Sequence, residues 1–163
     1  MPRSLRLLSL LLLAPLLFAA GCSRSAPAAS VSGTPPKHEH KPPHGGTPVV
    51  LGAEVYHLEL VRDAASGRLA AYVFDGELEN FIRSAAPSIV IVATVRGVPQ
   101  TLVLAAVPNP ATGETVGDTA LFETQADWLK TTAEFDAVLQ SIAIRGTTFS
   151  NVKFNFPRGN DAD

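Results

Sequence analysis

The sequence predicts an all-β fold, and three features of residues 49–157 support that prediction. Short runs of β-branched and aromatic residues recur, turn-forming residues separate them about every 8 to 12 positions, and no stretch keeps a 3.6-residue apolar repeat. About seven or eight short strands of this kind favour an antiparallel β-sandwich of the immunoglobulin-like type. A small β-barrel is the alternative.

The clearest alternation lies in the first predicted hairpin. Residues 55–62 (VYHLELVR) place their leucines on one face of a strand and His57 and Glu59 on the other. Turn residues and a second apolar run at 69–75 (LAAYVFD) follow. This spacing predicts two antiparallel strands joined by a short turn.

The later elements follow from the same signals. Residues 88–95 (SIVIVATV) are a nearly continuous β-branched run, which is typical of a strand covered on both faces. The remaining predictions, in chain order, are a loop at 76–86, strands at 98–107 and 120–124, a single helical turn at 125–130, and a hairpin of 135–145 with 147–156.

The chain begins with the parts of a secretory signal peptide. A positively charged start precedes the apolar run 7–18, and small residues follow it up to residue 21. A membrane span needs ~20 apolar residues, so this run is too short to be one. Residues 1–21 are therefore predicted to be a cleaved leader.

Residues 19–22 (AAGC) resemble the lipobox of bacterial lipoproteins. The resemblance implies a lipid thioether on Cys22, cleavage after Gly21, and anchoring of the protein to a membrane on its periplasmic side. In that family an Asp after the cysteine retains the protein in the inner membrane. Here Ser23 follows, so the outer membrane is expected.

Cleavage would leave 142 of the 163 residues, in three parts. Residues 22–48 are rich in proline and poor in large apolar side chains, which predicts a disordered tether. Residues 49–157 are long enough for a single β-domain. Residues 158–163 are predicted to be a polar tail.

Composition excludes several functions. The mature chain would carry 11 Lys and Arg against 15 Asp and Glu without a basic run, so nucleic-acid binding is not expected. Once Cys22 is lipidated and Met1 is removed, neither a free thiol nor a methionine side chain remains, which excludes copper(I) sites built from Cys or Met. No common catalytic motif of hydrolases or metalloproteases is present, so the chain is not predicted to be an enzyme.

The one chemical signal is a cluster of histidines. His38, His40 and His44 fall within seven consecutive positions, and neutral imidazole is the commonest protein ligand for zinc, copper(II) and nickel(II). If the Pro-Pro-His-Gly-Gly turn packs beside the first hairpin, His44 could join His57 and Glu59 in a 2-His-1-carboxylate arrangement. These five residues are the predicted metal ligands.

Other interpretations stay open. The histidine cluster is also what a soluble spacer contains, and Lys37 and Lys41 beside it would repel a cation. His57 and Glu59 could simply lie on the solvated face of an edge strand. The sequence thus predicts a lipid-anchored periplasmic binding module with a divalent-metal site. The alternative is a structural or protein-interaction lipoprotein with an envelope protein as partner and no metal role.

The span 44–75 carries a second resemblance. Its motifs are, in order, Pro-His-Gly-Gly ending at 46, an apolar strand at 49–51, Tyr-His-x-Glu at 56–59 and Tyr-x-x-Asp at 72–75. This order is similar to the opening of small secreted or lipid-anchored bacterial β-domain proteins of unassigned function. Some neighbours of those proteins in sequence are linked to heavy-metal efflux adaptors. The resemblance marks His44, Gly45, Gly46, His57 and Glu59 as site residues.

Overall fold

The computed structural model describes residues 41–161, which form eight β-strands and one short 3-10 helix. The elements are β1 Thr47–Leu51, β2 Tyr56–Asp63, β3 Arg68–Asp75, β4 Ser88–Val95, β5 Val98–Ala106, β6 Leu121–Gln125, the 3-10 helix Asp127–Lys130, β7 Phe135–Ile144 and β8 Thr147–Phe156. The predicted hairpins, the loop and the single helical turn are therefore present. The predicted signal peptide, Cys22, His38 and His40 lie outside the described residues.

All strands belong to one antiparallel sheet in the order β1-β2-β3-β6-β5-β4-β7-β8. The short strand β6 pairs with β3 on one side and with β5 on the other, which joins the two halves. The edge strands β1 and β8 approach each other, so the sheet nearly closes. The all-β prediction is confirmed, and the small barrel describes the arrangement better than a sandwich of separate sheets.

The core fills the inside of this nearly closed sheet. Its largest fully buried side chains come from most of the strands and from the 3-10 helix: Leu51, Leu58, Leu60, Leu69, Ile89, Ile91, Leu104, Phe122, Leu129, Leu139 and Ile142. One expectation is wrong. In β4 only alternate residues are buried, and Val90 and Val92 on the outer face stay half-exposed, because a barrel strand turns one face to the core.

The C-terminal residues close the seam between β1 and β8. The side chain of Thr47 donates a hydrogen bond to the carbonyl oxygen of Pro157 (3.1 Å). Asn160 accepts from the Val50 N–H through Oδ1 (2.7 Å) and donates through Nδ2 to the Val50 carbonyl (3.1 Å). The residues predicted to be a polar tail thus include one bound to β1. That strand also starts at Thr47, two residues before the predicted domain boundary.

Within residues 41–161, no helix has the length and apolar character that a membrane crossing requires.

Candidate binding site around His44 and Glu59

A buried carboxylate organises the chain just before β1. Glu59 lies in the middle of β2 and is fully buried. Its Oε1 accepts hydrogen bonds from the backbone N–H groups of His44 (2.8 Å) and Gly46 (2.9 Å). Its Oε2 lies 2.7 Å from Nδ1 of the His44 ring. A buried carboxylate is costly unless it is hydrogen-bonded, and three donors from one turn meet that requirement.

The two glycines of the Pro-His-Gly-Gly motif make this turn possible. Gly45 has φ +68° and donates its N–H to the Pro42 carbonyl (3.1 Å), a left-handed conformation that suits glycine. Gly46 presses against β2, where an added Cβ would lie 2.6 Å from the Leu60 carbonyl oxygen and 2.8 Å from a methyl of Val61. Both glycines therefore serve to bring His44 down onto Glu59.

The imidazole of His44 is held on two sides. Its ring stacks on Tyr72 of β3 with centroids 4.0 Å apart and planes 11° from parallel, and its Nδ1 faces Glu59. With a carboxylate oxygen as the acceptor, this contact assigns the tautomer that has its proton on Nδ1 and leaves the lone pair on Nε2. The side chain of His44 is 35% exposed. The result is an oriented imidazole that solvent can reach.

His57 lies on the same face of β2 as Glu59 and is buried. It is 1% exposed, and its Nδ1 lies 3.3 Å from the Asp75 carbonyl oxygen. Among residues 41–161 no three His, Cys, Asp or Glu side chains are grouped so that they could hold a metal ion. The structure thus brings His44 and Glu59 together but does not form the 2-His-1-carboxylate arrangement with His57. The solvated-face interpretation is also wrong, because β2 is an inner strand and both side chains are buried.

The turn that follows β3 is built on Asp75. Burial raises the pKa of this carboxyl, but hydrogen bonds from the Asn80 side chain and from the backbone N–H groups of Asn80 and Glu79 outweigh it and hold the pKa below its ordinary value. This turn begins the loop that covers the outer face of β3. It also fixes the carbonyl that faces His57.

An aromatic surface extends the site away from β2. Phe81, from the loop after β3, stacks on Phe74 (4.6 Å between centroids) and lies 6.2 Å from Tyr72 and 6.1 Å from His44. Phe81 is 55% exposed. With Tyr72 it lines a small pocket of about 120 Å³ that reaches Leu121. Phe81 and this pocket together form an exposed apolar surface beside His44.

Sequence reasoning missed this aromatic surface. Tyr72 appeared only as part of a motif, and Phe81 lay in a segment predicted to be a loop. A loop gives no periodic signal that would say where its side chains point. The one usable hint was that Phe81 is the only aromatic residue in the segment 76–86.

Comparison of the chain with protein-family models, with curated proteins and with solved structures finds no match. The site is therefore interpreted from its own geometry.

Proposed function

We propose that this chain is a lipid-anchored binding module of the bacterial envelope that binds a divalent metal ion, zinc, copper(II) or nickel(II), through imidazole. The observation that supports this most is the 2.7 Å contact between Nδ1 of His44 and the buried carboxylate of Glu59. Metal-ligating histidines commonly donate their second ring N–H to a carboxylate, which fixes the tautomer and raises the basicity of the ligating nitrogen.

In this proposal Nε2 of His44 is the first ligand, and His38 and His40 supply the others. His38 and His40 precede His44 by six and four residues in the sequence, a spacing that allows the chain to bring all three imidazoles to one ion. Glu59 orients the imidazole and does not bind the metal, because its oxygens already accept three hydrogen bonds. His57 serves packing. Metal binding by three neutral imidazoles leaves a position for water or a further ligand.

Calorimetry of the mature protein in detergent tests the metal proposal. Saturable binding of zinc, copper(II) or nickel(II) at micromolar concentration is expected, and the combined substitution His38→Ala, His40→Ala, His44→Ala should abolish it. The matched control is Lys37→Ala with Lys41→Ala, in the same segment, which should keep or strengthen binding because it removes cationic repulsion. Absence of saturable binding, or equal binding by the triple variant, would overturn the proposal.

The anchor is proposed on Cys22, in the outer membrane and facing the periplasm. Mass spectrometry of the N-terminal peptide should show a diacylglyceryl group on Cys22, and Cys22→Ala should release the protein from the membrane fraction. A soluble wild-type protein with an unmodified Cys22 would contradict this assignment.

The exposed Phe81 favours a second candidate function, that of a protein-interaction lipoprotein with an envelope partner and no metal role. Such a partner should crosslink to the aromatic surface of Tyr72 and Phe81. The crosslink should persist in the triple histidine variant and should disappear in Phe81→Ala. Neither candidate function involves catalysis or nucleic acid.

A further inference from the structure

A groove of about 490 Å³ lies at the end of the seam where β1 and β8 fail to pair. Thr47 of β1 borders it on one side, and Phe156 and Pro157 border it on the other. Arg62, near the end of β2, lines the same groove. The turn that carries His44, Gly45 and Gly46 also lines it, so the groove joins an apolar side, formed by Phe156 and Pro157, to a polar side that includes one permanently charged side chain.

The guanidinium of Arg62 is fixed but not neutralised. Its Nε donates a hydrogen bond to the Leu129 carbonyl of the 3-10 helix (2.6 Å), and the side chain is half-buried. Within residues 41–161 it makes no ion pair. The terminal amino groups Nη1 and Nη2 remain as a planar pair of donors, which matches the two oxygens of a carboxylate.

The acidic residues that directly follow the groove residues Arg62 and Ala133 are engaged elsewhere. Asp63 accepts hydrogen bonds from Ser66 and from the Ala65 N–H in its own turn. Glu134 pairs with Arg158. A half-buried guanidinium without an anionic partner attracts an anion from outside, even in a chain whose overall charge is negative.

We propose that this groove binds a ligand in which a carboxylate stands beside an apolar group, such as the end of a peptide. The carboxylate would lie on Nη1 and Nη2 of Arg62, and the apolar group would pack against Phe156 and Pro157. The charge complementarity favours an anion, and the apolar side formed by Phe156 and Pro157 favours a carboxylate with a hydrocarbon neighbour over inorganic phosphate. His44 borders the same groove, but the proposed carboxylate contact is made by Arg62 and not by imidazole, so this site does not require that a metal binds.

The test uses the mature protein in detergent with a chelator present, so that metal binding cannot contribute. Three probes are titrated by calorimetry: N-acetyl-leucyl-leucine with a free carboxylate, its amide, and N-acetyl-aspartyl-leucinamide. The first and third distinguish a chain-terminal from a side-chain carboxylate, and the amide also controls for partition into micelles. Saturable binding of at least one carboxylate probe is expected, with the amide at least about tenfold weaker.

Two sets of variants locate the site. Arg62→Gln should weaken carboxylate binding by about 10- to 100-fold, and Arg96→Gln, on the exposed β4–β5 turn, should leave it unchanged. Because Arg62→Gln also loses the bond to Leu129, Ala133→Glu offers a second approach. Ala133 is exposed at the groove, so its new carboxylate should occupy Arg62 and block the probe, whereas Ala133→Gln should not.

The proposal is overturned if neither carboxylate probe binds saturably up to millimolar concentration, or if acid and amide bind equally. It is also overturned if Arg62→Gln and Ala133→Glu both leave binding intact in protein that melts cooperatively. These outcomes are independent of the metal titration, so each proposal can fail without the other.

Discussion

Replacing Glu59 by Gln should change the tautomer of the His44 ring while the protein still folds. The amide keeps one oxygen for the backbone N–H groups of His44 and Gly46, but its NH₂ group would then face the protonated Nδ1 of His44. The ring can avoid two opposed donors by moving its proton to Nε2, so that Nδ1 accepts. The lone pair available to a metal would be lost, and metal affinity should fall by 10- to 100-fold.

The stability cost can be worked out from the three hydrogen bonds. A hydrogen bond to a charged group contributes about 1.5–3 kcal/mol, and one between neutral groups about 0.5–1.5 kcal/mol. The difference is about 1–1.5 kcal/mol per bond, so with three bonds changed Glu59→Gln should lower the free energy of unfolding by about 3–4.5 kcal/mol. Urea denaturation followed by the fluorescence of Trp128, which packs edge-on against Phe135, measures this.

The control is Glu123→Gln, whose carboxylate pairs with Arg68 on the surface. Exposed ion pairs contribute about 0–1 kcal/mol, so this variant should be nearly neutral. Nitrogen-detected NMR of His44 reports the tautomer directly. If Glu59→Gln is as mild as the control, or if Nδ1 of His44 keeps its proton in the variant, the reasoning about this site is refuted.

Further predictions concern the turn, the acid response and the seam. Gly46→Ala should destabilise the protein by about 2–3 kcal/mol in urea denaturation, because the new Cβ meets the Leu60 carbonyl oxygen at 2.6 Å; a neutral result would mean that the turn can shift away from β2. Hydrogen bonds from the side chain and backbone of its own turn lower the pKa of Asp63 below 3.8. Its stabilising contribution is therefore complete above the unfolded pKa and is lost as the pH falls through the lower folded pKa. Asp63→Asn should flatten the fall of melting temperature below about pH 4, and an unchanged acid slope would argue against this role. Asn160→Ala should cost about 1–3 kcal/mol, since it removes two hydrogen bonds to Val50, and hydrogen exchange of the Val50 amide should quicken; an equally protected amide would contradict the contact.

The hairpins were predictable because alternation is a local property. The run 55–62 separates its leucines from His57 and Glu59 by strand geometry alone, and the structure keeps that separation. What covers the polar face was not predictable in the same way. The cover comes from a turn 13 to 15 residues earlier, through His44 and Gly46, and from the loop that carries Phe81.

Local sequence patterns could not predict the closure of the sheet either. It depends on β6, a five-residue strand that pairs with β3 and β5 at once. Neither pairing leaves a signature in Leu121–Gln125. Similarly, the sequence placed Asn160 in a polar tail, because nothing nearby indicates that its amide meets β1.

The amide of Asn160 limits how molecules of this protein can associate through the edge strand β1. Alternate residues of an edge strand turn their backbone groups outward, and on β1 these are Pro48, which has no N–H, and Val50, whose N–H and carbonyl Asn160 already holds. The outer edge of β1 therefore offers no continuous row of unpaired backbone N–H and C=O groups with which a neighbouring sheet could pair. Where chains stand crowded in a plane, as anchored proteins do, this strand is protected from edge-to-edge aggregation.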